Sequence, residues 1–233
     1  MTASLPLSTT DITPEQALKH YFGYDSFRPG QRQIVENALQ DRDQLVVMPT
    51  GGGKSLCFQL PALLKPGLTI VVSPLIALMQ DQVQLLQDNG IQATFLNSSL
   101  GLAEMRARTH LLLDGHIKLL YVAPERLLSQ DFLTSFLPQL QNRTGIAAFA
   151  IDEAHCVSEW GHDFRPEYRQ INILREHFPD VPVMALTATA TERVRQDIMT
   201  QLGLRSPNVH IASFNRPNLY YEVRPKQKNA YQE

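Results

Sequence analysis

Two short stretches concentrate groups that could do chemistry. MPTGGGKS, residues 48–55, places three glycines directly ahead of a lysine and a serine. Consecutive glycines let the backbone curl so that its N–H groups face an anion, and a helix starting at the lysine adds its positive dipole. Thr50, Gly51, Gly52 and Gly53 would form the cradle, Lys54 would reach the outer phosphates of ATP, and the Ser55 hydroxyl would ligate Mg²⁺. Met48 stands where the strict G-x-x-x-x-G-K-S pattern has its first glycine, so the pattern is a relaxed one. A plain glycine-rich turn accounts for the glycines but not for G-K-S between an apolar run and a helix. The second stretch is Asp152-Glu153, which follows the apolar run IAAFAI. An acid at the end of a buried strand can hold the Mg²⁺ shell, and its neighbour can orient or deprotonate a water. An acidic helix cap would explain one carboxylate, but not its company with a phosphate loop. Lys54, Asp152 and Glu153 are therefore the catalytic candidates for ATP hydrolysis, with Ser55 and Asp152 as metal ligands.

These groups must be carried by elements that end at one place. Thr13-Pro14-Glu15-Gln16 reads as a helix start, with a threonine N-cap, proline in the first position and Gln16 closing a capping box. A second helix follows Pro29. Beyond it LVVM (45–48), LTIVVS (68–73), ATFL (93–96), LLYVA (119–123), IAAFAI (146–151) and VPVMAL (181–186) are strand candidates. Several are apolar throughout, as parallel strands covered on both faces are. The segments 75–89, 101–114 and 191–202 between them carry helical periodicity. Alternation at this spacing predicts an α/β domain with a mostly parallel sheet and helices on both faces. Residues 1–12 and the tail RPKQKNAYQE are expected to be loosely ordered.

The composition narrows the function classes. The chain has 233 residues, 43% hydrophobic and 19% charged, with a formal net charge of −2. That charge excludes a globally basic nucleic-acid binder but leaves room for a local basic groove. Cys57 and Cys156 are far apart, so neither a disulfide framework nor a structural zinc site is expected. His155, Cys156 and His162 lack zinc-site spacing. The N-terminus has no basic region followed by an apolar one, so it does not read as a signal peptide. The longest apolar stretch, from Leu68 to Met79, is broken by Ser73 and Pro74 and too short to span a bilayer. A cytoplasmic protein with no membrane partner is the expectation.

One stretch exceeds what a nucleotide pocket needs. DEAHCVSEWGHDFRPEY, residues 152–168, follows its carboxylates with the chain's only tryptophan, two more aromatics and interleaved charges. Trp160, Phe164 and Tyr168 fall at helical spacing and could form a core stripe. Gly161 and Pro166 interrupt any such helix, and Glu159, His162, Asp163 and Arg165 suit an exposed loop. Aromatic rings stack on any base regardless of sequence, and Arg165 can meet a phosphate.

FGYDSFRPGQ (22–31), MPTGGGKS, VVSPLIALMQDQ (71–82), YVAPERL (121–127), DEAHCVSEWGHDFRPEY and LTATA (186–190) occur in the order found in RecQ-family DNA helicases, which the chain resembles from about residue 15 to about 220. The letters DEAH occur in other superfamily 2 helicases too, whereas SEWGHDFRPEY is specific to RecQ. The resemblance implies a single RecA-like P-loop lobe over residues 13–212. It also implies that Trp160, His162, Phe164 and Arg165 belong to an aromatic-rich loop sensing single-stranded DNA. Tyr24, Arg28 and Gln31 match the segment that recognises adenine, although by themselves they read equally as helix-surface residues. Ser73, Asn97 and Arg126 match loops on the DNA backbone, where the bland reading is strand-end turns. Thr187 and Thr189 match the segment coupling nucleotide state to DNA binding.

The family's motor has two lobes with ATP between them. Residues 213–233, including FNRPNLYYEVRP, resemble the linker towards a second lobe, for which the remaining chain is too short. The resemblance thus implies the first motor lobe of a 3′–5′ DNA helicase working in repair and recombination at the bacterial nucleoid. Its partners would be single-stranded DNA, duplex/single-strand junctions and a second RecA-like lobe, and alone it would not unwind. Two alternatives remain at this level: a regulatory nucleotide- or DNA-binding module, and a fragment of an RNA-remodelling superfamily 2 ATPase.

Overall fold

The computed structural model describes residues 12–213 together with Tyr220 and Glu222. The expected loose N-terminus, apart from Ile12, and nearly all of the linker-like tail lie outside these residues. Helix α1 (Pro14–Phe22) begins with the expected capping box, Thr13 and Gln16 each bonding the other's backbone. Helix α2 (Gln31–Leu39) follows, and both lie on α3 (Lys54–Leu64), burying Ala17, Leu18, Val35, Leu56 and Leu60 between them.

The centre is a seven-stranded sheet in which every pairing is parallel. Its strands are β1 (Gln44–Val47), β2 (Leu68–Val72), β3 (Ala93–Leu96), β4 (Leu119–Val122), β5 (Ile146–Ile151), β6 (Val183–Thr187) and β7 (Asn208–Ile211), in the order β3-β4-β2-β5-β6-β1-β7. Alternate residues of the inner strands feed two separate cores. Leu45, Val47, Ile70, Val72 and Ile151 face one layer, which includes α5 (Leu102–Leu113), α7 (Leu137–Arg143) and α10 (Glu192–Gln201). Val46, Val71, Ala150 and Met184 face the other, covered by α2, α3 and α4 (Ile76–Asp88). Both faces being dry explains why these strands read as continuous apolar runs.

Six strands correspond to the six apolar runs, with the last displaced to Val183–Thr187 because Pro182 cannot donate to the ladder. The seventh was not anticipated. β7 is an edge strand whose residues alternate between half-buried and exposed, and NVHI is too polar to stand out as a buried run. The remaining helices are short: α6 (Pro124–Leu127), a π-turn (Phe132–Phe136) leading into α7, a 3-10 turn (Ala154–Val157), then α8 (Pro166–Arg169) joined by a second 3-10 turn (Gln170–Asn172) to α9 (Ile173–His177).

The amino ends of the strands are clamped by one carboxylate. Asp43, 6% exposed, accepts from Val183 N at 2.8 Å, Arg205 N at 2.7 Å and Arg175 Nη2 at 2.6 Å. These bonds hold β1, β6 and the approach to β7 in register. Asp43→Ala strands two backbone donors and a buried guanidinium, and is expected to cost about 3–5 kcal/mol. Urea denaturation measures this; a loss under about 1 kcal/mol would reduce the clamp to an incidental contact.

Candidate active site and nucleic-acid interface

The phosphate loop leaves the carboxyl end of β1. Met48 at its start is core: it is buried, its Sδ lies 4.0 Å from Cys57 Sγ, and its N–H donates to Thr187 O. The missing first glycine is therefore an anchor beneath the loop. Gly53, at φ +86°, caps α3 in the left-handed region, and a Cβ there would meet Gln31 Nε2 at 2.3 Å. Lys54 and Ser55 occupy the first turn of α3, as the spacing predicts.

Arg28 and Gln31 hold this loop from outside. Arg28 Nη1 donates to Gly51 O, and Gln31 Nε2 donates to Gly53 O at 3.2 Å, while Gln31 Oε1 accepts from Arg28 N at 2.8 Å. Tyr24, 55% exposed, joins them at the rim of a cavity of about 350 Å³ that also reaches Gly53 and Ser55. Gln59 and Gln82 line its inner wall, joined through Gln59 Nε2, which donates to Gln82 Oε1 and Tyr121 Oη. Sequence reading missed those two because isolated glutamines on helices carry no pattern.

The two carboxylates stand where β5 ends, beside β2 and β6. Glu153 takes the left-handed conformation (φ 49°, ψ 43°), which is strained for a residue with a Cβ. Its Oε2 lies 3.2 Å from His155 Nδ1. The hydrogen bond with His155 holds the Glu153 carboxyl below its ordinary range, helped by the Lys54 charge and opposed by burial. Asp152 behaves oppositely: burial, then the neighbouring Glu153 charge, push it up to about 6 against the pull of Lys54. An enclosed carboxylate short of positive charge fits a divalent cation, and Ser55 on the adjoining helix start is a compatible second oxygen ligand.

The sequence offered His155 only as a metal ligand with the wrong spacing, yet it joins the two halves of the site. Thr187 Oγ1 donates to Thr189 O at 3.1 Å, and His155 Nδ1 lies 2.9 Å from Thr187 Oγ1 and 3.2 Å from Glu153 Oε2, so its one N–H is shared between those two oxygens. That bond ties the turn after β5 to the TAT loop after β6. Only the fold brings residues so distant in sequence together, and no spacing rule could have found the pair.

From Ser158 to Arg165 the chain is an irregular loop, and the helical-stripe alternative does not hold. Trp160 is 57% exposed, whereas Tyr168 is fully buried on α8 with its hydroxyl donating to Asp152 O. A Cβ on Gly161 would come within 2.4 Å of His155 O, so only glycine lets the loop pass there. His162 stacks on His155 with centroids 4.1 Å apart, Arg165 pairs with Asp163, and Phe164 lies under the Arg169 guanidinium. His155, Cys156 and Asp163 bring their ligand atoms within 4.8 Å of one another, a convergence the sequence spacing does not reveal. Burial holds the Cys156 thiol up at about 12 and Arg165 already occupies Asp163, so the group is held together as a thiol and an ion pair.

Asn97 and Arg126, with Pro74, line a separate groove of about 520 Å³ along the carboxyl ends of β2, β3 and β4. Ser73 itself is buried behind it, at 2% exposure. Ser73 Oγ, Asn97 Nδ2 and Arg126 Nε are all buried without a hydrogen-bond partner. Such orphaned atoms are rare in folded proteins.

The comparisons agree with this geometry. Residues 28–198 match the family described as "DEAD/DEAH box helicase". The chain is 51% identical over 216 residues to ATP-dependent DNA helicase RecQ of Haemophilus influenzae, covering 93% of this chain and 34% of that protein. It is 46% identical to the Bacillus subtilis protein of that name, covering 90% and 35%, and 50% identical to RecQ-like DNA helicase BLM of Xenopus laevis, covering 88% and 15%. Among solved structures it is similar to a DEAD-box helicase bound to ssRNA and UDP-BeF (TM-score 0.67, 17% identity, 87% of this chain and 43% of that one). It is also similar to DUF1998 helicase MrfA bound to DNA and AMPPNP (TM-score 0.65, 18% identity, 91% and 30%). At those identities the likeness shows a RecA-like helicase fold. The chain belongs to the DEAD/DEAH box helicases and, among them, to the RecQ family. It spans about a third of the length of its bacterial RecQ relatives.

Two expectations follow from the site. Among the described residues Lys19, Lys65 and Lys118 are engaged elsewhere, leaving Lys54 as the lysine at the loop. Lys54→Ala is expected to weaken ATP binding roughly 10- to 100-fold, the worth of a hydrogen bond to a charged group. A fluorescent ATP analogue reads this, and unchanged affinity in a folded variant would remove the loop from the nucleotide. The second concerns Asp152, whose folded value of about 6 exceeds the ordinary 3.8. Below pH about 4 both folded and unfolded chains carry the proton, so the residue costs nothing. Between about 4 and 6 only the unfolded chain has lost it, so stability falls as pH rises and stays lowered above that window. Asp152→Asn should therefore stabilise the metal-free protein by about 1–3 kcal/mol at neutral pH and not in acid. Denaturation in a chelator checks it; a destabilised variant would make Asp152 a structural cap.

Proposed function

We propose that this chain is the first motor lobe of an ATP-dependent 3′–5′ DNA helicase of the RecQ type, working on DNA at the nucleoid in repair and recombination. Tyr24, Arg28 and Gln31 would take the adenine, the loop from Thr50 to Ser55 the phosphates, and Ser55 with Asp152 the Mg²⁺. The metal would neutralise charge on the phosphates as they part. Glu153, kept ionised by His155, is the group for the attacking water's proton.

The observation that carries this reading is the His155–Thr187 hydrogen bond. It links the carboxylate turn to the TAT loop, and the His162 ring stacked on His155 extends the link to the aromatic loop, a continuity that coupling hydrolysis to a nucleic-acid grip would use. The orphaned donors Asn97 Nδ2 and Arg126 Nε support a phosphate backbone in the neighbouring groove. Single-stranded DNA and duplex/single-strand junctions are the proposed substrates. A second RecA-like lobe is the proposed partner, closing over the ATP and supplying arginines. Among the described residues no helix is long and apolar enough to cross a membrane.

Residues 1–233 alone are expected to turn ATP over slowly and to displace no strand. An arginine supplied from outside is worth roughly 10³–10⁵ in rate in phosphoryl transfer. A strand-displacement assay tests this, and ATP-dependent unwinding by the monomer would overturn the single-lobe reading. In a chain extended with a second lobe, Trp160→Ala should leave basal ATPase nearly intact while weakening its stimulation by single-stranded DNA. Stimulation by RNA in preference to DNA would instead favour an RNA-remodelling ATPase.

A further inference from the structure

Trp160 is exposed, yet one face of its indole is already covered. The Arg193 guanidinium carbon lies 3.3 Å from the ring centroid, nearer than the arginines over Phe95, Phe132 and Phe164. Both partners come from fixed backbone. Arg193 is in the first turn of α10, which Val194 and Ile198 anchor to the core and the Thr191 side chain caps through Val194 N. Trp160 N donates to Ser158 Oγ at 3.2 Å, and Gly161 N to Ser158 O at 2.9 Å. The stack therefore bridges the loops after β5 and β6 a second time, outside the His155–Thr187 bond.

Arg193 makes no ion pair among the described residues. A guanidinium held over an aromatic ring by cation–π attraction still has N–H groups to donate to an acceptor. Among the described residues no carboxylate pairs with those groups and no aromatic ring stacks on the indole. An open aromatic face beside an unpaired planar cation is complementary to one nucleotide unit, a base together with its phosphate.

We infer that Trp160 and Arg193 form a one-nucleotide clamp for single-stranded DNA. The base stacks on the open face of Trp160, while Arg193 holds the other face and donates its edge N–H groups to the adjoining phosphate. The arginine also orders the indole beforehand, so the strand need not pay for that ordering on arrival. The inference rests on the reading of this loop as a single-strand contact and adds a residue from α10 to it.

Trp160 is the only tryptophan of the chain, so intrinsic emission reports the clamp directly. Oligothymidylate titrated into the 233-residue protein at several salt concentrations should quench it. Arg193→Gln should bind several-fold more weakly, with the slope of log affinity against log salt shallower by about 0.7, one phosphate contact on a single strand. Arg193→Lys keeps the charge and should keep the slope, with altered emission because the stacked plane is gone. Arg143→Gln removes the same charge at the opposite edge of the sheet, where Arg143 faces Asp114, and should leave the slope alone. Binding of the ATP analogue by every variant verifies the fold. Equal slopes for wild type and Arg193→Gln, or equal losses in Arg193→Gln and Arg143→Gln, would overturn the role of Arg193 while leaving the aromatic loop in place. Wild-type emission indifferent to oligothymidylate would remove the loop from DNA and the clamp with it.

Discussion

A sheet whose strands all run parallel must deliver every strand's carboxyl end to one edge, and the phosphate loop, the carboxylates, the TAT loop and the groove all depend on that constraint. β1 delivers the phosphate loop, β5 the two carboxylates, β6 the Thr187 loop, and β2, β3 and β4 the groove of Asn97 and Arg126. Because β5 lies between β2 and β6, the carboxylates end up between the groove and the TAT loop. Neighbouring loops can then exchange hydrogen bonds without any long side chain reaching across the molecule. This is the general reason ligands gather at this edge of open α/β sheets.

The two edges of the sheet are built to different standards. At the amino edge Asp43 is saturated by two backbone N–H groups and a guanidinium, which favours rigidity. At the carboxyl edge Glu153 sits in a strained backbone conformation, Asp152 is held far from its ordinary ionisation, and Ser73, Asn97 and Arg126 leave polar atoms unpartnered. Each of these is unfavourable by itself, and a cation or an anionic ligand would offset it. Such local violations of good packing chemistry are common at functional sites, although Arg175 Nε in the Asp43 clamp is also buried without a partner.

Much of this was legible in the chain. The capping box at Thr13, the G-K-S helix start and the buried strands are local or periodic signals, and local signals survive folding. Gly161, Pro166 and the interleaved charges also spoke against a helix from Ser158 to Arg165, and the close approach of Gly161 to His155, which tolerates no side chain, bears that out. What was not legible is what only pairing creates. β7 becomes a strand because β1 offers an edge, not because NVHI demands one. The pairings of His155 with Thr187 and of Trp160 with Arg193 acquire meaning only from adjacency across strands. Met48 looked like a lapse in a glycine pattern and proves to be the packing anchor of the loop.

The strand order also sets a timetable. β1 precedes every other strand in the chain, yet its only neighbours are β6 and β7, the last two. At ribosomal speeds of about 5–20 residues per second, roughly 7–28 s separate the emergence of Gln44 from that of its partner Met184. In that interval α1, α2 and α3 can already share their local apolar contacts, while β1 has no strand to pair with. The phosphate loop is therefore among the first functional segments to be synthesised and among the last to acquire its shape. A nascent chain of this kind lacks the native phosphate loop until nearly the whole lobe has been made.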